Sequence, residues 1–178
     1  MLRASFAIIL ALFEMLTVAQ AGSTNKYNNE KQGVSFKYSD EFHLIESKDK
    51  SRITISIGDM VGNTLNGGVS IVIQKKLTKS NGFIGFINNE REKYSPYKNE
   101  VTETELVIDK KYHAIEINRK ATAIGMNIKY TIIELPNKNE VLTIQMVTEI
   151  KPKIELLKKR TEKALKQYSN ILKELEIY

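Results

Sequence analysis

The side chains able to do chemistry are few and scattered. The chain holds two histidines, His43 and His113, and no cysteine. A transition-metal site needs several His, Cys or carboxylate ligands converging on one point, and neither histidine has such company in sequence. His113 alternates in register with Ile115 and Ile117, which reads as a packed core or edge histidine. Nucleophile motifs are missing: there is no Gly-x-Ser-x-Gly, no His-Glu-x-x-His and no thiol. The glycine-rich stretch from Gly62 to Gly68 lacks the Gly-Lys-Ser/Thr that grips a phosphate. Glu100, Glu103 and Glu105 cluster, but at strand spacing beside threonines. A solvated strand face accounts for Glu103 and Glu105, whereas glycosidase-type acid–base work needs two carboxylates facing each other across a cleft. The expectation is a protein without catalytic residues, metal or cofactor.

Two surfaces are candidates for binding a partner. Lys158, Lys159, Arg160, Lys163 and Lys166 lie mostly off the apolar stripe of a C-terminal helix. Of these, Lys158, Arg160 and Lys163 form the candidate docking set for anionic headgroups or an acidic protein. Such docking would be salt-dependent, because the Debye length is only about 8 Å at physiological ionic strength. The alternative is an ordinary solvated helix face. The second surface is the segment from Asp59 to Asn66, where Met60, Val61 and Leu65 stand among glycines. Apolar residues on a mobile loop serve as a partner contact, or they tuck back onto the sheet.

The elements that carry these residues follow from periodicity. Gly33 to Tyr38 alternates as a strand, and Phe42 to Glu46 reads as a second, short one. Ser51 to Ile57 places Ile53, Ile55 and Ile57 on one face, a half-buried strand. Gly58 to Gly68 reads as a flexible excursion, and Val69 to Gln74 as the next strand. Ser80 or Asn81 can cap a helix to about Tyr94, with Phe83, Ile84, Ile87 and Tyr94 inward and Asn88, Glu90, Glu92 and Lys93 outward. From Glu100 to Ile150 the pattern is an antiparallel meander with turns at Asp109-Lys110-Lys111, around Gly125 and at Pro136 to Asn139. Lys151 to about Leu175 then takes the helical period. Its stripe is Ile154, Leu157, Thr161, Leu165, Tyr168, Ile171, Leu172 and Leu175. Pro152 is placed in the first turn, which tolerates it. That stripe is committed to the core, so peripheral membrane contact is compatible with the pattern and insertion is not. One strand-rich sheet therefore carries two helices, on one face or on both.

The N-terminus reads as an address label. Arg3 gives a positive n-region, Phe6 to Phe13 an apolar h-region, and Ala19-Gln20-Ala21 a small-x-small cleavage pattern. The uninterrupted apolar run is too short for a membrane-spanning helix, which needs about 20 residues. The expected organisation is a signal peptide over 1–21, a polar lead-in over 22–32 with a short strand around Tyr27, and one domain over 33–178. An exported chain of this size, without disulfides, must be held by its core alone. The formal net charge of +6 suits an anionic partner, and export argues against nucleic acid.

The opening Tyr27-Asn28-Asn29, the stretch Gly33-Val34-Ser35-Phe36-Lys37-Tyr38-Ser39-Asp40-Glu41-Phe42, and the closing Tyr168-Ser169-Asn170-Ile171-Leu172 with Leu175-Glu176-Ile177-Tyr178 resemble the PsbP-like family. That family includes the extrinsic PsbP protein of photosystem II, the Ran-binding Mog-type proteins and bacterial DcrB-like exported proteins. Ser39 stands where the family usually has proline, and Phe42 where tryptophan is common. The resemblance implies an α+β protein, an α/β/α sandwich with a central antiparallel sheet. It also implies binding or assembly with no shared catalytic site. The expected function is that of an exported, monomeric, non-catalytic protein of the periplasm or extracellular space, docking to a protein or envelope component. A small-ligand or lipid carrier, predicting an apolar cavity between sheet and helix, and a hydrolase with an unrecognised site are the alternatives.

Overall fold

Alternation of apolar and polar residues makes more than half of the described residues extended. A computed structural model describes residues 23–61, 64–78, 81–93, 99–137 and 139–178. The expected signal segment, 1–21, lies outside the described residues, as do residues 22, 62–63, 79–80, 94–98 and 138. Among the described residues the strands are β1 (Thr24–Asn29), β2 (Val34–Ser39), β3 (His43–Glu46), β4 (Arg52–Val61), β5 (Thr64–Leu77), β6 (Asn99–Ile108), β7 (Tyr112–Ala121), β8 (Met126–Glu134), β9 (Glu140–Glu149) and β10 (Glu176–Ile177). Helix α1 (Gly82–Glu92) follows β5, and α2 (Glu155–Glu174) follows β9. This is the expected α+β class, with two antiparallel sheets in place of the one expected.

The main sheet has seven strands in the order β3-β4-β5-β9-β8-β7-β6. Three hairpins carry the chain from β6 to β9, the meander that the turn residues predict. At Asp109 and Lys110 both φ angles are positive, as a type I′ hairpin turn requires. Helix α1 lies between β5, in mid-sheet, and β6, at the far edge. The second sheet is β1-β2-β10. The polar lead-in thus supplies six residues of strand, paired along the length of β2. The chain end closes this sheet over Gly33, whose φ is +64° and where an added Cβ would lie 2.4 Å from the Tyr178 carbonyl oxygen. Only glycine fits there.

The two apolar faces of the main sheet are covered separately. Ile53, Ile55, Ile71, Ile73, Leu142 and Ile144 pack with Val34 and Phe36 of the small sheet and with Ala164, Tyr168 and Ile171 of α2. On the opposite pleat, Ile115, Ile117, Tyr130, Ile132 and Val141 pack under Phe83, Phe86 and Ile87 of α1. The helices therefore lie on opposite faces, the α/β/α arrangement.

Four local expectations are corrected. The excursion over Gly58 to Gly68 is an extension of the β4–β5 hairpin, with Asp59 opposite Asn66 and Met60 opposite Leu65 after a bulge at Ile57/Asp59. The flanking strands already fix the ladder, and extending it satisfies backbone donors and acceptors that a loop would leave to water. In α1, Phe83, Phe86, Ile87 and Glu90 face inward while Ile84 is 60% exposed. In α2, the buried line is Ala164, Gln167, Tyr168, Ile171 and then Leu175, leaving Ile154 and Leu165 exposed. The helix starts at Glu155, so Pro152 precedes it rather than occupying its first turn.

Gln167 is inward for a polar reason. Strand β10 covers only Val34 and Ser35 of β2. Further along, Gln167 Nε2 donates to the Lys37 carbonyl at 3.0 Å and the Ser39 amide donates to Gln167 Oε1 at 3.1 Å. The side-chain amide continues the ladder where the strand ends. Tyr168 is fully buried, and burial holds its hydroxyl far above the usual phenol range. It donates to the Ile144 carbonyl at 2.9 Å. The Thr131 hydroxyl, 2.7 Å away, is then left to donate to it. Tyr168→Phe keeps the ring and strands both partners, so a loss of about 1–3 kcal/mol of stability is expected. Urea denaturation with an unchanged m-value checks it.

Candidate functional site

On the α2 face the cover does not reach the end of the sheet. Along β7, Ala114 is followed on the same pleat by Glu116, Asn118 and Lys120, while Ile115 and Ile117 face α1. β8 and β9 repeat the gradient, with Thr131, Lys129 and Asn127 after Ile133 and Thr148 after Met146 on this pleat. Polar side chains thus floor a groove whose one wall is α2 and whose outer lip is β6. Its wider part, about 690 Å³, runs from Glu100 and Thr102 across Asn118, Asn127 and Met146 to Lys158, Thr161 and Leu165. A further part of about 510 Å³ continues past Lys129 between Leu106 and Leu172.

The groove floor is held by charge. Lys129 Nζ donates to Glu116 Oε1 at 2.6 Å and to Asn118 Oδ1 at 3.2 Å. Asn118 Nδ2 donates to the same Glu116 oxygen at 3.0 Å. The Lys129 ammonium also sits 5.4 Å from the centre of the Tyr168 ring, within cation–π range. Lys120 pairs with Glu100 across the lip at 3.1 Å. One polar atom stands apart: the Thr161 hydroxyl on the groove wall is buried and has no hydrogen-bond partner in the protein. A buried hydroxyl without a partner costs stability.

The predicted contact residues divide. Lys158 lines the groove, and among the described residues its ammonium has no partner. Arg160 turns the other way and clamps the hairpin, donating from Nη1 to the Gly67 carbonyl and from Nη2 to Asp59 Oδ1, each at 2.8 Å. Lys163 pairs with Glu41 at 2.6 Å. The two expected surfaces are therefore joined, with Arg160 as the joint. Met60 is half-buried on that hairpin. Val61 and Leu65 are strand residues of it, and their side chains lie outside the described residues.

The residues weighed for catalysis do not converge. His43 is on edge strand β3 and His113 on β7, five strands away, roughly 24 Å at strand spacing. His113 packs edge-on to Phe83 at 5.3 Å. No group of His, Asp or Glu that could hold a metal occurs among the described residues. Glu103 forms a two-pronged pair with Arg91 of α1. Its hydrogen bonds from Arg91 hold the carboxyl below its ordinary value. Lys76, half-buried beside Tyr130 at 3.1 Å, has its ammonium pKa lowered by burial. Tyr27 is pushed up to about 12 by burial and by its bond to Glu46. Each of these shifts belongs to a contact that ties two elements together.

Sequence reading missed Glu116, Asn118, Lys129 and Thr161. The signal was present in β7: Ile-Glu-Ile-Asn alternation says that one face is wet. It does not say that a helix stands beside that wet face.

No protein-family model matches the chain, and no curated protein sequence matches it. Solved structures do. The solution structure of cyanobacterial PsbP (CyanoP) from Synechocystis sp. PCC 6803 is 11% identical, covers 90% of this chain and 96% of its own, and gives a TM-score of 0.51. A mutant of the Mog1 protein is 6% identical, covers 87% of this chain and 96% of its own, and gives a TM-score of 0.53. The class is that of the PsbP/Mog1 fold, and at these identities the likeness establishes the fold alone. Among the described residues no helix is long and apolar enough to cross a membrane.

Two outcomes follow from these contacts. Arg160→Ala should accelerate hydrogen exchange at Asp59 and Gly68 of the hairpin at least several-fold, with exchange in β7 to β9 unchanged. Glu103→Gln should lower stability at pH 7 by about 0.2–1 kcal/mol, the range for exposed ion pairs. The folded-state pKa of Glu103 is below 4.5. Its contribution is therefore complete above 4.5 and disappears as pH falls through the folded value, so wild type and variant should converge in acid. Chemical denaturation at a series of pH values reads both.

Proposed function

We propose that this is an exported, monomeric, non-catalytic binding or assembly protein that docks to another protein of the cell envelope through the groove between α2 and β6. The observation that carries the reading is the groove itself: an open trough with Glu116, Asn118 and Lys129 on its floor, Lys151 and Lys158 on its lining without a partner among the described residues, and an exposed Leu165. Export is supported by the n-region, h-region and Ala-x-Ala order of residues 1–21. The PsbP/Mog1 fold fits a scaffold that presents a surface.

The groove suits a polypeptide better than a lipid. Small-molecule pockets enclose their ligand, whereas this trough lies open along α2, with Glu116, Asn118 and Lys129 bonded to one another on its floor. Docking to an anionic partner through the basic helix face falls to Lys158, Lys159 and Lys166, which have no carboxylate partner among the described residues, since Arg160 and Lys163 are already paired.

A photoreactive side chain at Leu165, in the groove, and another at Lys159, on the outer face of α2, test the reading in the native envelope fraction. The expected result is one discrete protein adduct from position 165 and none from 159. Adducts from 159 alone, or indiscriminate labelling from both, would overturn it.

A further inference from the structure

The outer lip of the groove is also an open sheet edge. β6 bonds only to β7, through ten consecutive residue pairs from Asn99 to Ile108 without a bulge. An antiparallel strand directs alternate residues' N–H and C=O groups to its two sides. Among the described residues, nothing pairs with the outward set. The other edge of the main sheet, β3, is four residues long and is tied to β1 through Glu46, which accepts from Tyr27 and Asn29. Long bare edges invite pairing and are usually shortened, bulged, interrupted by proline or covered. β6 has none of these features over its ten residues, and Val101 and Val107 stand 46% and 69% exposed on it.

What β6 does have is charge of one sign. Glu100, Glu103 and Glu105 are its only ionisable residues, on a chain whose formal net charge is +6. Glu100 is paired with Lys120 and Glu103 with Arg91. Glu105 is exposed without a partner among the described residues. A second copy of this chain is thereby a poor occupant. Two β6 edges side by side would bring carboxylates opposite carboxylates with no cation on either strand, and like charges in register destabilise a strand pair.

We propose that β6 accepts an extended, basic segment of the partner protein as an eighth strand. Main-chain hydrogen bonds would hold the segment, and its alternate side chains would divide between the groove and the α1 face. On the groove side it would meet Glu100, Thr102 and Leu106, and on the other Val101, Glu105 and Val107. Lysine or arginine on the α1-side pleat fits Glu103 and Glu105, and small or β-branched residues on the groove side fit Thr102 and Thr104. The inference rests on the groove reading and gives that groove a partner chemistry.

The probe is a synthetic peptide alternating Lys with Thr or Val over ten residues, followed on the ¹⁵N-labelled protein by NMR. Expected are saturable shifts and slowed amide exchange confined to alternate residues of β6, and at least tenfold weaker binding for the same peptide N-methylated at every second residue. Replacing each Lys of the peptide by Glu should abolish binding. Glu105→Lys, at an exposed position that no fold contact uses, should weaken it at least threefold. Equal binding of the N-methylated peptide would overturn strand addition, leaving charge attraction only. No binding by the basic peptide would overturn it too, and would show the carboxylates acting only as a guard against edge pairing. If the peptide fails while the Leu165 adduct forms, the groove reading survives and the β6 inference does not. If the peptide binds and the adduct is absent, the groove reading is the one that fails.

Discussion

A sheet with apolar side chains on both pleats must be covered on both faces, and here the cover is narrower than the sheet. On one face α1 spans the apolar part of β7, β8 and β9. On the other, the small sheet and α2 together cover β3, β4, β5 and the adjoining half of β9 and β8. Beyond α2 the apolar residues stop, and Glu116, Asn118, Lys120 and Lys129 take their places. The groove is what remains between a helix seated in mid-sheet and a strand at the edge. Every contact that sets the position of α2 also sets its width.

Those contacts are mostly polar anchors at the margins of an apolar interface. Tyr168 bonds to β8 and β9 under the helix. Gln167 bonds to β2 on one side, and Arg160 bonds to the β4–β5 hairpin at its N-terminal half. Apolar burial drives the helix onto the sheet but is indifferent to small slides and rotations. Directional bonds to fixed backbone groups remove that freedom. The basic residues that look from sequence like a docking surface are, at Arg160 and Lys163, part of this positioning.

Most of the strands were legible because a period of two leaves little choice. Ile53, Ile55 and Ile57 lie on the pleat their alternation assigns, and the meander from β6 to β9 turns at the residues that look like turns. The helices were legible as helices but not in their rotation. Ile84, Ile154 and Leu165 are apolar and exposed, while Glu90 and Gln167 are polar and buried, because what a helix buries depends on what stands beside it. The glycines between Gly58 and Gly68 hid ladder pairs that run to Val61 and Thr64, since residue propensity is local and the ladder that overrides it is not.

By itself the sequence determined which segments are strands and helices, the sign of the charge, and the lack of any nucleophile or metal motif. These properties depend on residues near one another in the chain. Only the tertiary structure decided that the lead-in and the chain end form a second sheet with β2. The same is true of Arg160 clasping a hairpin in place of a partner, and of a wet pleat, a helix wall and an open edge meeting along one trough. Those features join residues far apart in sequence, and their placement is set by packing and hydrogen bonding between elements.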